Sequence, residues 1–260
     1  MGVRMNELLI IIPAYNEESN IEPFLEKLEQ VDIPMGMDIL VIDDGSTDHT
    51  KDIVRKRNHK IITQCFNLGY GSGLQTGYKY AAQKGYQYVI QMDADGQHDA
   101  RNVETILKAL ITADEEGNTP DIVLGSRFVK GSTIYPISFV KKIAYCLFRI
   151  LIRLFTGKKI QDPTTGLQGL NRKAFGYYAG YNHFDDKYPD ANMIMQMILL
   201  GFRVIEIPSV MHARTEGVSM HSGLKPIIYM FRMMFSMIAV WIRIRLFHVD
   251  EGAVEDEYNT

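Results

Sequence analysis

The chain has 260 residues, 46% hydrophobic and 23% charged, with a net charge of −3, which suits one α/β domain with an elaborated C-terminal part and a sizeable core. Its two cysteines, Cys65 and Cys146, exclude a disulfide-stapled scaffold and fit a reducing cytosolic setting. Residues 1–130 carry 13 Lys/Arg against 20 Asp/Glu, residues 131–249 carry 15 against 6, and 250–260 hold five acids and no base; a basic half in an acidic protein implies an anionic partner, a membrane surface or a phosphate.

The first apolar run, Leu8–Ile12, is too short for the core of an export signal and runs into Pro13 and acidic residues, so it reads as a first strand. Further runs at Ile39–Ile42, Ile61–Thr63, Tyr88–Met92 and Ile122–Leu124 read as buried strands. Helical patterns near 17–31, 48–57, 72–84 and 100–116 fall between them, with Ser46 and Thr47 as caps for the second and Asp99 for the fourth. Such alternation predicts a mostly parallel sheet with helices on both faces, whose ligands bind beyond the carboxyl ends of the strands. No nucleic-acid recognition module of the usual kinds is found.

Two acidic turns follow strands in this pattern: DDGSTD from Asp43, and MDADGQHD around Asp93 and Asp95. Paired carboxylates on a turn can hold Mg²⁺ or Mn²⁺, which take oxygen ligands and keep positions open for substrate phosphates. Asp and Gly are also ordinary turn residues. Convergence of both turns on one crevice favours a site. Gly69, Gly71, Gly73 and Gly77 open the third helix, but the G-x-G-x-x-G spacing fails at Leu74 or Thr76, which sets aside a dinucleotide oxidoreductase. These glycines let the backbone pass close to the crevice, or pack the helix tightly.

Later in the chain, 137–155 and 225–247 are dense in large apolar residues. At about 100° per residue, Lys142, Arg149 and Arg153 share one stripe, and Lys225, Arg232 and Arg243 align with Ser236 and Ala239 in another. Neither segment reaches the ~20 uninterrupted apolar residues of a span. They read as helices lying in the headgroup region of an anionic membrane. Packing on the sheet, or on each other in a homo-oligomer, is the alternative. The acidic tail 250–260 reads as disordered.

IIPAYNEESNI, VIDDGSTDHT, NLGYGSGLQTG, MDADGQHD, GSRFVKGS, DPTTGLQG and ARTEGVSMHS stand in the order of an inverting, nucleotide-sugar-dependent family 2 glycosyltransferase. Over roughly residues 6–222 the chain resembles that family, most of all its dolichol- and polyprenyl-phosphate sugar synthases. The resemblance implies a GT-A fold over 1–222 with an amphipathic insertion near 134–157, membrane-surface helices over 223–249, and the tail. It implies a UDP- or GDP-linked sugar donor held by Pro13, Tyr15, Glu17, Asp43, Asp44 and Asp93. It further implies Mg²⁺ or Mn²⁺ at Asp93, Asp95 and Gln97, with Asp95 the direct ligand, and Arg127, Arg214 and Ser219 on the donor diphosphate or an acceptor phosphate.

The family's base lies in an acidic pair before a late helix. Here that place reads Tyr188-Pro189-Asp190-Ala191, with proline where the first acid often stands. Asp190 can serve as base or cap the helix that runs to Leu200; Asp185 and Asp186 are neighbours. His98, His183 and His212 read as structural, and His221 as the histidine that approaches the diphosphate. The acceptor expected is polyprenyl phosphate, with a hydroxyl of a lipid-linked saccharide as alternative and a non-catalytic nucleotide-sugar-binding protein as the rival. The expected place is the cytoplasmic, inner face of the membrane. The Gln-Arg-Trp signature of processive synthases is missing, since Val240 precedes the single tryptophan, Trp241, so one sugar is transferred per encounter.

Overall fold

A computed structural model describes residues 6–133, 139–212 and 225–249. The first strand, β1 (Leu8–Ala14), is buried along its whole length. It is flanked in parallel by β2 (Met37–Asp43) and β4 (Tyr88–Gln91), and β3 (Lys60–Thr63) follows β2 at the edge. The sheet then continues through β6 (Gln168–Asn171), β5 (Ile122–Ser126) and β7 (Val204–Pro208), in the order β3-β2-β1-β4-β6-β5-β7. Only β6 runs antiparallel, to β4 and β5; β7 is parallel to β5. The sheet is therefore mostly parallel, in a GT-A arrangement.

Alternate side chains of a strand go to opposite faces, and β1 feeds two cores. Leu8, Ile10 and Ile12 join α1 (Glu18–Glu29), α2 (Thr50–Lys56) and α4 (Asn102–Ile111). Leu9 and Ile11 join α3 (Tyr70–Lys84), α5 (Phe139–Thr156), α6 (Arg172–Ala179), α7 (Ala191–Leu199) and α8 (Lys225–Arg245). Four of the helices read from the sequence are present, each within a few residues of the expected ends. The strands β6 and β7 were not expected: Gln168–Asn171 lies inside the DPTTGLQG string, and its Gly and Asn conceal a buried strand.

The expected caps are used differently. Thr50 opens α2 behind His49, and Asp48 accepts the Thr50 N–H at 3.0 Å, while Ser46 accepts from Asn16. Asp99 accepts the Arg101 N–H just ahead of α4. On α5 and α8 the polar stripe faces inward rather than toward headgroups. Arg149 donates to the Gln161 carbonyl at 2.6 Å, Arg243 to Gln196 Oε1 at 2.6 Å, and Ser236 accepts from Asn192 at 2.9 Å. Phe148, Ile152, Met233 and Met237 are buried, whereas Ile150, Leu154, Ile228, Phe231 and Phe235 are exposed. Both halves of the expected choice are thus realised: the helices pack on the body and leave an apolar outer face. Ile227–Arg245 is long and apolar enough by length and composition to cross a membrane.

Both readings of the glycine-rich helix hold. A Cβ on Gly77 would lie 2.5 Å from Ile11 of β1, and one on Gly71 would lie 2.0 Å from the Asp185 carbonyl oxygen. Backbone cannot yield as a side-chain tip can. Gly71→Ala is therefore expected to lower stability by about 1–3 kcal/mol, read as a lower denaturant midpoint with an unchanged slope.

Candidate active site

Strand order reverses between β1 and β4, since β2 and β3 lie on one side of β1 and the later strands on the other. Crevices at such a switch point are where open α/β sheets bind ligands. The β1–α1 and β2–α2 turns meet there and are tied together. Asn16 N–H donates to Ser46 Oγ at 3.0 Å, Thr47 N–H to Asn16 Oδ1 at 2.9 Å, Glu17 N–H to Thr50 Oγ1 at 2.9 Å, and Glu18 N–H to Asp48 Oδ2 at 3.1 Å. Asn16 adopts a left-handed backbone, φ 55°. Pro13 is buried at the end of β1, and Tyr15 is exposed at the mouth.

Asp43 is fully buried. Its Oδ1 accepts the Ser46 N–H at 3.0 Å, and Oδ2 has no hydrogen-bond partner among the described residues. A buried unpaired carboxylate oxygen is costly and marks a place that a ligand can complete. Both oxygens of Asp44 are engaged: Oδ1 accepts the Leu68 N–H at 2.8 Å and Oδ2 the Gly69 N–H at 2.9 Å. Further acceptor directions remain on each oxygen.

Asp93 is gripped from three sides. The Tyr70 phenol donates to Oδ1 at 2.7 Å, His98 Nε2 lies 3.6 Å from Oδ2, and Gly166 leaves the space: a Cβ there would fall 2.3 Å from Oδ2. Burial works against ionisation of Asp93, but His98, Tyr70 and the Arg127 charge outweigh it and hold its carboxyl below the usual range. Burial, with Asp93 and Asp190 nearby, pushes the Tyr70 phenol well up, so it remains a donor. Asp95 Oδ1 accepts the Gln97 N–H at 3.0 Å. No group of three or more His, Cys, Asp or Glu side chains forms a ready metal cage among the described residues. The two carboxylates on this turn are nevertheless hard oxygen donors, the set a Mg²⁺- or Mn²⁺-type cation takes when a diphosphate supplies further ligands. The donor chemistry fits.

Arg127 follows β5 and is held by Asp162 in a fork. Nε donates to Oδ2 at 2.7 Å and an Nη to Oδ1 at 2.6 Å, with Thr164 accepting beside them. Its guanidinium also lies over the Phe128 and Tyr145 rings. Asp162 is itself fully buried.

Asp190 holds the N-cap position of α7, but its side chain makes no cap bond. Asn192 Oδ1 accepts from the Asp190 and Met193 N–H groups instead, and Asp190 Oδ2 accepts the Tyr229 phenol of α8 at 2.5 Å. Burial pushes the Asp190 carboxyl up to about 6; the Tyr229 bond and the Arg127 charge oppose this, and Asp93 and Asp185 reinforce it. Asp185 serves the local turn, accepting the Lys187 and Tyr188 N–H groups. Arg214, Ser219 and His221 lie outside the described residues.

The crevice therefore gathers Asp43, Asp44, Asp93, Asp190 and Arg127. Tyr70, Tyr229 and Asp162 were missed from the sequence, and His98 had been set aside as structural. Tyr70 lies within the glycine string and Asp162 within DPTTG, so a motif-level signal existed for these two. Tyr229 has none: it comes 39 residues after its partner, within an apolar helix.

This crevice, on this sheet, defines the class: a sugar transferase using a nucleotide-linked donor. Residues 9–178 match the model of glycosyl transferase family 2, and the chain belongs to that family. It is similar to the dolichol-phosphate mannosyltransferase of Pyrococcus furiosus, 28% identical over 224 residues covering 82% of this chain and 59% of that longer protein. It is similar to the polyprenol monophosphomannose synthase of Mycolicibacterium smegmatis, 28% identical over 224 residues covering 83% and 81%. Among solved structures it superposes on glucosyl-3-phosphoglycerate synthase from Mycobacterium tuberculosis, in complex with Mn²⁺, UDP and glucosyl-3-phosphoglycerate. That match has a TM-score of 0.63 and 17% identity and covers 91% of this chain and 79% of the other.

Removing Asp162 would leave the Arg127 charge half-buried and uncompensated. Asp162→Ala is expected to cost about 3–5 kcal/mol, measured by equilibrium unfolding.

Proposed function

We propose that this protein transfers one sugar from a nucleoside-diphosphate donor to polyprenyl phosphate at a membrane surface, with inversion. The observation that carries the reading is the convergence of the Asp43–Asp44 turn, the Asp93–Asp95 turn and Arg127 at the switch point between β1 and β4. The names of the two polyprenyl-linked relatives support it. Pro13, Tyr15, Glu17 and Asp43 line the nucleotide side, and the unpaired Asp43 oxygen is ready for a donor from base or ribose. Asp93, Asp95 and Gln97 would hold the divalent cation, which neutralises the diphosphate so that it leaves with less charge build-up.

Arg127, fixed in place by Asp162, faces the developing phosphate charge, because a guanidinium keeps its proton and binds phosphate bidentately. Arg214 and Ser219 are assigned to the same phosphates from their motif. A phosphate acceptor already carries its charge and needs positioning more than a base. The exposed apolar face of α5 and α8, with Phe231, Phe235 and Leu154 outward, would lie in the headgroup region of the cytoplasmic leaflet. In domain terms, the GT-A part over 1–222 does the chemistry and 223–249 seats it.

One observation favours a second reading, transfer to a saccharide hydroxyl. Asp190 keeps its side chain out of the helix cap, directs it to the phenol of Tyr229, and is pushed up to about 6. A hydroxyl holds its proton at neutral pH and needs such a base. The hydroxyl proton would pass to Asp190 as the new C–O bond forms and the nucleoside diphosphate departs.

Asp190→Asn separates the two. With undecaprenyl phosphate as acceptor, nucleoside diphosphate release should survive the substitution and show no limb near pH 6. A fall of ~10²–10⁴, with wild-type turnover lost as pH drops through about 6 because Asp190 protonates, would establish the hydroxyl reading instead. Release absent with every UDP- and GDP-sugar and every lipid acceptor would overturn both and leave a binding protein.

A further inference from the structure

The two acidic turns are linked by a chain of contacts that neither turn needs for its own folding. Asp44 follows β2, and its carboxylate accepts the Leu68 and Gly69 N–H groups at 2.8 and 2.9 Å. Gly69 carries φ 104°, a conformation open to glycine, and sets the entry to α3. Tyr70 is the first residue of α3, and its phenol reaches across to Asp93 Oδ1 at 2.7 Å. The loop that carries Tyr70 is held on its other side as well. Gly71 packs against the Asp185 and Asp186 backbone, and the Ser72 N–H donates to the Asp186 carbonyl at 2.9 Å. Movement of Asp44 is thereby passed through two backbone amides to one phenol, and from it to the carboxylate of the second turn.

We infer that Asp44 and Tyr70 form a positioning relay that aims the Asp93 carboxylate at the cation and diphosphate, so that Asp44 acts through Tyr70 and not by touching the nucleotide. Metal-ligand carboxylates gain affinity from the groups that orient them. Tyr70 supplies that orientation on one oxygen, while the bare Cα of Gly166 and the buried His98 wall the other. The phenol cannot point elsewhere without carrying the α3 entry with it. Cation–nucleotide binding is therefore sensitive to residues 44 and 70 together, although they belong to different turns. The inference rests on the reading of Asp93 and Asp95 as the cation site.

The test is calorimetric titration of the full-length chain with UDP and with GDP, each with and without Mn²⁺. Variants are Tyr70→Phe, Asp44→Asn, the double variant and Asp95→Ala, with thermal unfolding of each as a control. Tyr70→Phe is the conservative arm, since only one oxygen is lost. The relay predicts that Tyr70→Phe weakens Mn²⁺-dependent nucleotide binding by roughly 10–100-fold and leaves metal-free binding unchanged. It also predicts that Asp44→Asn does the same, and that the double variant is no worse than the weaker single. If Asp95→Ala abolishes the Mn²⁺ dependence while Tyr70→Phe binds as wild type, the cation site stands and the relay is overturned. Loss of metal-free binding in Asp44→Asn, multiplying with the Tyr70→Phe loss, would mean direct contact and also overturn it. Wild-type binding indifferent to Mn²⁺ removes the cation site itself and the relay with it.

Discussion

Strand β1 has a neighbour of the same direction on each side, β2 in full register from Leu8↔Met37 to Ala14↔Asp43 and β4 from Leu8↔Tyr88 to Ile11↔Gln91. That double parallel pairing brings the carboxyl ends of three strands to one edge, and each end releases an acidic or polar turn there. Continuous burial of LLIIIPA makes the pairing obligatory, because neither face of the strand can be left in water. The turns inherit their positions from the sheet. Asn16, Ser46, Thr47 and Asp48 then tie two of them together, and the Asp44–Tyr70 contacts tie the third.

Electrostatics follows from this geometry. Bringing Asp43, Asp93 and Asp190 to one crevice concentrates like charge, and the surroundings answer group by group. Asp93 is held ionised by donors and the Arg127 field, whereas Asp190, at the far wall, is pushed toward protonation. Arg127 is kept in place by a buried carboxylate, so the cation faces the crevice without collapsing onto Asp93. Such spreading of carboxyl behaviour within one site is the pattern by which acid–base roles are assigned. It also explains why the Asp190 side chain leaves the capping to Asn192.

Much of this was legible in the chain. Leu8–Ile12 and Tyr88–Met92 stand out by apolar density, and the two acidic turns by composition. The motif order was specific enough to name the family, which the match over 9–178 bears out. What was not legible lies in contacts distant in sequence. Gln168–Asn171 became a strand because β4 and β5 needed a partner between them, which its own Gly and Asn do not announce. The basic stripes of α5 and α8 were visible by helical spacing, but spacing gives no direction. Arg149 and Arg243 turned inward because the Gln161 carbonyl and Gln196 had acceptors to fill. The phenols of Tyr70 and Tyr229 bind carboxylates 23 and 39 residues away, beyond any local pattern.

The central claim is that lipid phosphate, a nucleotide-linked sugar and a divalent cation meet in this crevice. The most direct test follows nucleoside diphosphate release from a panel of UDP- and GDP-sugars, with vesicles that contain or lack undecaprenyl phosphate, in Mg²⁺, Mn²⁺ or chelator. The account predicts release with one donor that requires both the lipid and a cation, and that stops with Asp95→Ala. Release that proceeds equally in chelator, or equally without the lipid, would contradict it.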